Sequence, residues 1–276
     1  MTPAQPTAEN AGDIGAHVHG VLALYGGAAN VVLQFTRPGV AWGVIESPVE
    51  SGAVTKHPFK RGRTTLTYIA VALIGTDQDR ADYRRYVDEV HRQVRSRPSS
   101  PVKYNAFDRD LQLWVAACLH YGYVDTYTRT QGGLDDATRA LIHSHSARFG
   151  TTLQVPADRW PTDPDAFDDY IETCLDAEFD PEVRDYLVDL MKFRQMPAWF
   201  WPAGRFLEFM NTGYLPAPLR AQLGLTWSPR RERIFTQVNR TTGRIVSALP
   251  RAARQFPFNY YLWFMRRRIR RGKSPL

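Results

Sequence analysis

Five stretches of this chain share one pattern: an Asp or Pro opener, then apolar residues three and four positions apart. DQDRADYRRYVDEVHRQVRS sets Tyr83, Tyr86, Val87, Val90 and Val94 on one helical stripe, with Asp77 as the expected N-cap. DRDLQLWVAACLHYGYVDTYTR is expected to start at a cap on Asp108. DDATRALIHSHSARFG is amphipathic and is expected to stop at Gly150. PTDPDAFDDYIETCLDAE opens on Pro161 and Asp163, and DPEVRDYLVDLMKF repeats the pattern. Upstream, GAHVHGVLALYGGAANVVLQF reads as a buried helix pair, or as one helix broken near Gly26 and Gly27. RPGVAWGVIESPVESGAVTKHP reads as a short helix and then a loop punctuated by Pro48 and Pro58. RTTLTYIAVALIGTDQ is apolar and β-branched, and its periodicity does not separate a buried helix from a strand. No hairpin signal and no internal repeat is evident. The expectation is an all-α, single-domain bundle of about ten helices over residues 15–265. A flexible N-terminus (1–14) precedes it and a basic tail (266–276) follows.

Composition narrows the class. The chain has 276 residues, 43% of them hydrophobic and 23% charged, enough for a substantial core. No window approaches the ~18 apolar residues of a transmembrane helix. The start, MTPAQPTAENAGD, lacks the basic and apolar regions of a secretory signal. Two cysteines, Cys118 and Cys174, cannot build a disulfide framework, so a reducing, cytoplasmic location is the expectation. The net charge of +7 is unevenly spread. From Arg220 onward 14 Arg and Lys face one acid, Glu232, giving +13 and leaving −6 for residues 1–219. An acidic body argues against a nucleic-acid partner. NYYLWFMRRRIRRGKSPL sets an aromatic cluster before six basic residues. It reads as a last helix packing on the body with a solvated tail, or as a peripheral contact with an anionic membrane.

None of the standard short catalytic motifs is present. His17/His19 and His143/His145 are i, i+2 pairs, which point to different helix faces and read as structural. His91 has Arg95 at i+4, one turn on, so the two are expected to share a helix face. A neutral imidazole with a nearby cation suits a haem; the structural reading is a histidine capping or flanking the core, with Arg95 in a surface pair. KRGRTTLTY places Lys60, Arg61 and Arg63 before an apolar run, either as a carboxylate site or as a solvated helix start. Glu46, after GVI, reads as a partly buried acid or a cap.

Taken in order, these segments resemble the oxygenase family that includes latex clearing protein and the MpaB-type enzyme of mycophenolic acid biosynthesis. The resemblance runs over about residues 20–235. It rests on GAANVVLQFTRPGVAWGVIES, on Arg63-Thr64, on VDEVHRQVR, on YNAFDRDLQLWVAACL, on FGTTLQVPADRWP and on GYLPAPLRAQLGLTWSP. It implies an all-α bundle holding haem b, with His91 as the proximal iron ligand and Arg95 beside it. Arg63 and Thr64 would stand on the distal side, Arg63 also near the cofactor, and Glu46 where polymer-cleaving members carry a pocket acid. The implied chemistry is O2-dependent oxidation of a small hydrophobic substrate, such as cleavage of an isoprenoid double bond. Two positions depart from the family pattern. Ala116 stands where W-V-His-Ala has histidine, with His120 one turn on, and Arg37 replaces the histidine of His-Pro. The competing class is a non-catalytic helical protein that binds a hydrophobic ligand or an anionic membrane surface.

Overall fold

The computed structural model describes residues 13–49, 54, 56–175 and 178–276. Most of the flexible N-terminus expected over 1–14, and part of the loop expected after Ser47, lie outside the described residues. Among the described residues the fold is all-α. It comprises α1 (Ile14–His17), α2 (Gly27–Phe35), α3 (Pro38–Ile45), α4 (Pro58–Ile74) and α5 (Asp77–His91). Next come α6 (Arg109–Gln131), α7 (Asp136–Ser146), α8 (Arg148–Thr151), α9 (Pro164–Cys174) and α10 (Pro181–Met191). The chain closes with α11 (Trp201–Tyr214), α12 (Ala217–Gln222), α13 (Pro229–Ser247), α14 (Arg251–Arg254) and α15 (Phe258–Arg270). Eleven of these fifteen segments have eight residues or more, close to the ten expected. A 3-10 turn over Gly20–Leu24 separates α1 from α2, and α2 starts at Gly27 with Gly26 as its N-cap, so a break does lie near Gly26 and Gly27.

The openers behave as their chemistry dictates. Asp108, Asp135 and Asp163 each accept backbone N–H groups at the start of α6, α7 and α9. Proline occupies the first turn of α3, α4, α9, α10 and α13, where its missing N–H costs nothing. Two expected caps differ. The cap of α5 is Thr76 rather than Asp77. Its hydroxyl accepts from the Asp79 N–H while the Asp79 carboxylate accepts from the Thr76 N–H, a reciprocal capping box. Gly150 is not a C-cap either. α7 already ends at Ser146, and Gly150 lies within α8, packed close to Val155.

The ambiguous run at 63–78 is helical up to Ile74, and α5 starts after the non-helical Gly75 and Thr76. Its threonines return their hydroxyls to the preceding turn, Thr64 to the Lys60 carbonyl at 2.9 Å and Thr67 to the Arg63 carbonyl at 2.7 Å. That local bonding lets β-branched residues sit in a helix interior. α6 is the central rod, flanked by α2, α8 and α13, with Trp114, Ala116, Ala117 and Cys118 buried. It ends at Gly132, whose φ of 88° turns the chain left-handed at no steric cost. Buried amides fasten the helices around it. The Asn211 side chain accepts the Ala29 N–H at 2.9 Å, and Asn239 Oδ1 accepts the Tyr214 hydroxyl at 2.5 Å.

The basic end is not a tail beyond residue 265. α15 runs across that boundary and packs along α4, burying Phe258, Leu262 and Met265. Arg266 grips Asp79 with Nε at 2.9 Å and Nη2 at 2.6 Å. Burial pushes the Asp79 carboxyl up, but the Arg266 guanidinium and the Thr76 donors outweigh it and hold the group below its ordinary range. No helix among the described residues is long and apolar enough to cross a membrane.

Candidate active site

The first turn of α4 carries Lys60 and Arg61 and no acid, and Arg63 follows in the second turn. Cations there oppose the helix dipole, which favours negative charge at that end. An anion at this turn would meet free backbone donors and guanidinium groups together. Arg63 Nε is buried without a hydrogen-bond partner, and its guanidinium lies 5.6 Å from the centroid of Phe264 on α15. Arg61, Arg63 and Arg268 all act electrostatically on the Tyr86 phenol of α5, so the C-terminal end of α15 sits at the same end of the molecule.

His91 is the last residue of α5. Its Nδ1 is buried without a hydrogen-bond partner, and its ring meets Phe107 edge-on at 6.1 Å. Burial, reinforced by the Arg61 charge, pulls its pKa down to about 4, so the imidazole is neutral at pH 7.

Arg61 also acts on Tyr186 of α10, which stacks on Phe35 at 5.7 Å. Tyr186, Asp189, Leu190 and Arg194 help line a cavity of about 260 Å3. Arg194 is shared with a second cavity of about 310 Å3, walled by Phe193, Phe200 and Trp201 with Arg205 and Glu208. The larger volume sits at the bottom of the range for small-molecule sites, ~300–1,000 Å3, and the smaller falls just below it. Phe193 has φ of 52°, a left-handed conformation uncommon for a bulky residue, on the wall of the larger cavity. Phe59 in the first turn of α4 stacks on Trp199 at 5.9 Å and meets Phe200 edge-on at 6.2 Å. The basic turn, the imidazole and the aromatic cavity wall are therefore neighbours.

The site residues expected from sequence fare differently. His91 and Arg63 fall in this region. Thr64 is beside Arg63, but its hydroxyl is spent on the Lys60 carbonyl, and its own carbonyl accepts the Tyr83 hydroxyl at 2.8 Å. Arg95 does not share a helix face with His91. α5 stops at His91, and Arg95 is exposed on an extended segment bridged to Asn105. The reason is local: the Val94 N–H turns back to the His91 carbonyl at 3.0 Å, closing the helix. The Glu46 carboxylate points to that same segment, accepting Ser100 Oγ at 2.6 Å and the Tyr104 hydroxyl at 2.7 Å. Those two donors, with Arg97 adding to them, hold it below the ordinary carboxylate range. Glu46 thus anchors the loop leaving His91. Tyr186 carries no sequence signal of a site, because α10 shows only ordinary amphipathic spacing, and Phe193, Arg194 and Phe200 lie in the connection to α11, where no motif marks them.

His120, one turn beyond Ala116, lies elsewhere. It is 3% exposed among Phe167 at 4.4 Å, His143 at 5.4 Å and Trp160 at 5.7 Å. Burial, with the charges of His143 and Arg139 adding to it, pulls its pKa down to about 3. The unfolded chain takes up this proton near pH 6.5 and the fold does not, so the contribution of His120 is intact above pH 6.5 and is lost as pH falls toward 3. Urea unfolding between pH 6.5 and 4 should show stability falling, with His120 contributing about 1.4 kcal/mol per pH unit. His120→Phe, which fits the aromatic cage, should flatten that limb. An unchanged slope would remove His120 from the acid response.

An uncharacterised protein of Mycobacterium tuberculosis is 48% identical over 254 residues, covering 89% of this chain and 97% of that protein. An uncharacterised protein of Mycobacterium bovis matches with the same identity and coverage. No solved structure matches the chain. Residues 15–246 match the family described as ER-bound oxygenase mpaB/B'/Rubber oxygenase, catalytic domain, a span that includes α2 to α12 and both cavities. With all-α architecture and the ordered motifs on these helices, the chain belongs to the mpaB/rubber oxygenase family.

Proposed function

We propose that this protein is a haem b-dependent oxygenase acting on a small hydrophobic substrate. The observation that carries the proposal is His91: a neutral imidazole with a buried, unpartnered Nδ1 beside a cationic helix turn. Haem iron takes a neutral imidazole, and haem propionates take cations. The donor set fits that group. His91 would ligate the iron, and Arg61 and Arg63 would hold the carboxylates, because Arg95 lies off the imidazole's helix. Bound haem supplies the activation of O2, chemistry that no side chain here offers.

The protein's own part is placement and exclusion of water. Phe107 meets the His91 ring edge-on, and Glu46 ties down the loop that leaves α5 through Ser100 and Tyr104. Phe193, Phe200 and Trp201 offer an apolar wall for the substrate, and Arg194 joins the two cavities. Arg63 Nε is an unused donor available to a polar group near the reaction. The test is the absorption spectrum of the purified protein, a haem titration, and O2 uptake with hydrophobic alkenes. A Soret band, saturable haem binding and substrate-dependent O2 uptake are expected. A colourless preparation that stays empty after haem supplementation would overturn the proposal and leave the non-catalytic ligand binder.

A further inference from the structure

α15 is apolar on two sides. One side is explained by packing on α4, through Phe258, Leu262 and Met265. The other faces solvent: Tyr260 is 46% exposed and Trp263 47%, and Phe256, just ahead of the helix, 54%. These rings form one strip, Phe256 to Tyr260 at 6.4 Å and Tyr260 to Trp263 at 6.0 Å. The strip continues into exposed cations, Arg267, Arg270, Arg271 and Lys273, with the Arg267 guanidinium 5.4 Å from the centroid of Trp263. No acid follows Glu232 anywhere in the chain. Docking of α15 by Arg266 and Asp79 fixes which face looks outward.

We propose that this outward face of α15 binds the surface of an anionic lipid bilayer. Tyr and Trp rings settle at the headgroup level, where one end of each is apolar and the other is wet. Arginines beside them meet lipid phosphates, and a helix with this division lies in the interfacial plane. Charge sets the orientation: the body over residues 1–219 carries −6 and turns away from an anionic surface, while the last segment turns toward it. A nucleic acid would use the cations but leave the three aromatic side chains without a role. This inference stands without the haem proposal, since none of its residues touches His91 or the cavities.

The test is co-sedimentation of the full chain with phosphatidylcholine vesicles, with and without phosphatidylglycerol. The expected result is pelleting with the anionic vesicles only, weakened by salt as the Debye length shortens. Tyr260→Ser with Trp263→Ser, and separately Arg267→Gln with Arg270→Gln, should each reduce partitioning about tenfold or more. All four side chains are exposed, so the thermal midpoint should stay put and show that the variants remain folded. Wild-type protein that stays in solution with both vesicles overturns the proposal, as do variants that pellet like wild type. Retention on duplex DNA combined with absence from the vesicle pellet would also overturn it.

Discussion

His91→Ala is expected to weaken haem binding by more than about 100-fold, beyond the ~10–100-fold that loss of an outer partner costs a metal site. The same change should leave the haem-free protein as stable at neutral pH or slightly more so. His91 Nδ1 is buried without a partner, and removing an unsatisfied polar atom relieves its desolvation cost. Haem titration followed at the Soret band, with urea unfolding of the haem-free form, separates the two effects. Arg63→Gln gives the comparison. It removes a cation but not the axial nitrogen, so a loss of about tenfold is expected, near the ~1.5–3 kcal/mol of a charged hydrogen bond. If His91→Ala binds haem with unchanged affinity and spectrum, His91 is not the axial ligand.

Gly243→Ala is expected to destabilise the fold by about 3 kcal/mol or more, through overpacking against an unyielding backbone. Gly243 is where α13 crosses α6, and a Cβ there would fall on the Thr130 carbonyl. Thr130 cannot retreat easily. Its hydroxyl bonds the Thr126 carbonyl at 2.7 Å, and the next residue, Gln131, accepts Ser247 Oγ of α13 at 2.6 Å. Gly62→Ala is the matched control. It is also helical, but a Cβ there meets nothing within 4 Å, so the helix-propensity gain of up to ~1 kcal/mol should appear. Urea midpoints of the two variants should move in opposite directions. Equal midpoints would mean that the α6–α13 crossing is looser than the structure shows.

The same contrast explains what could be read without coordinates. Asp108, Asp135 and Asp163 act within their own first turn, so local sequence suffices to locate the start of a helix. Thr76 displaced Asp77 because the capping box needs an acid three residues on, and Asp79 supplies it while also meeting Arg266 from α15. That second contact spans 187 residues and leaves no trace in the spacing. Arg95 looked like a neighbour of His91 because periodicity was extended past the point where the Val94 N–H closes the helix. Glu46 looked like a pocket acid because its two donors, Ser100 and Tyr104, lie more than fifty residues away.

By itself the sequence determined the all-α class, the starts of the long helices, the family, and the two residues, His91 and Arg63, that remain at the centre of the proposed chemistry. These depend on periodicity, on caps and on ordered motifs, all of which are local or linear. Only the tertiary structure decided that Arg61 rather than Arg95 is the cation acting on His91, and that cavities walled by Phe193, Phe200 and Tyr186 lie close by. It also turned the basic tail into a docked helix with an exposed aromatic face. Burial and electrostatic reach are properties of what packs from elsewhere in the chain, and spacing along one helix carries no record of them.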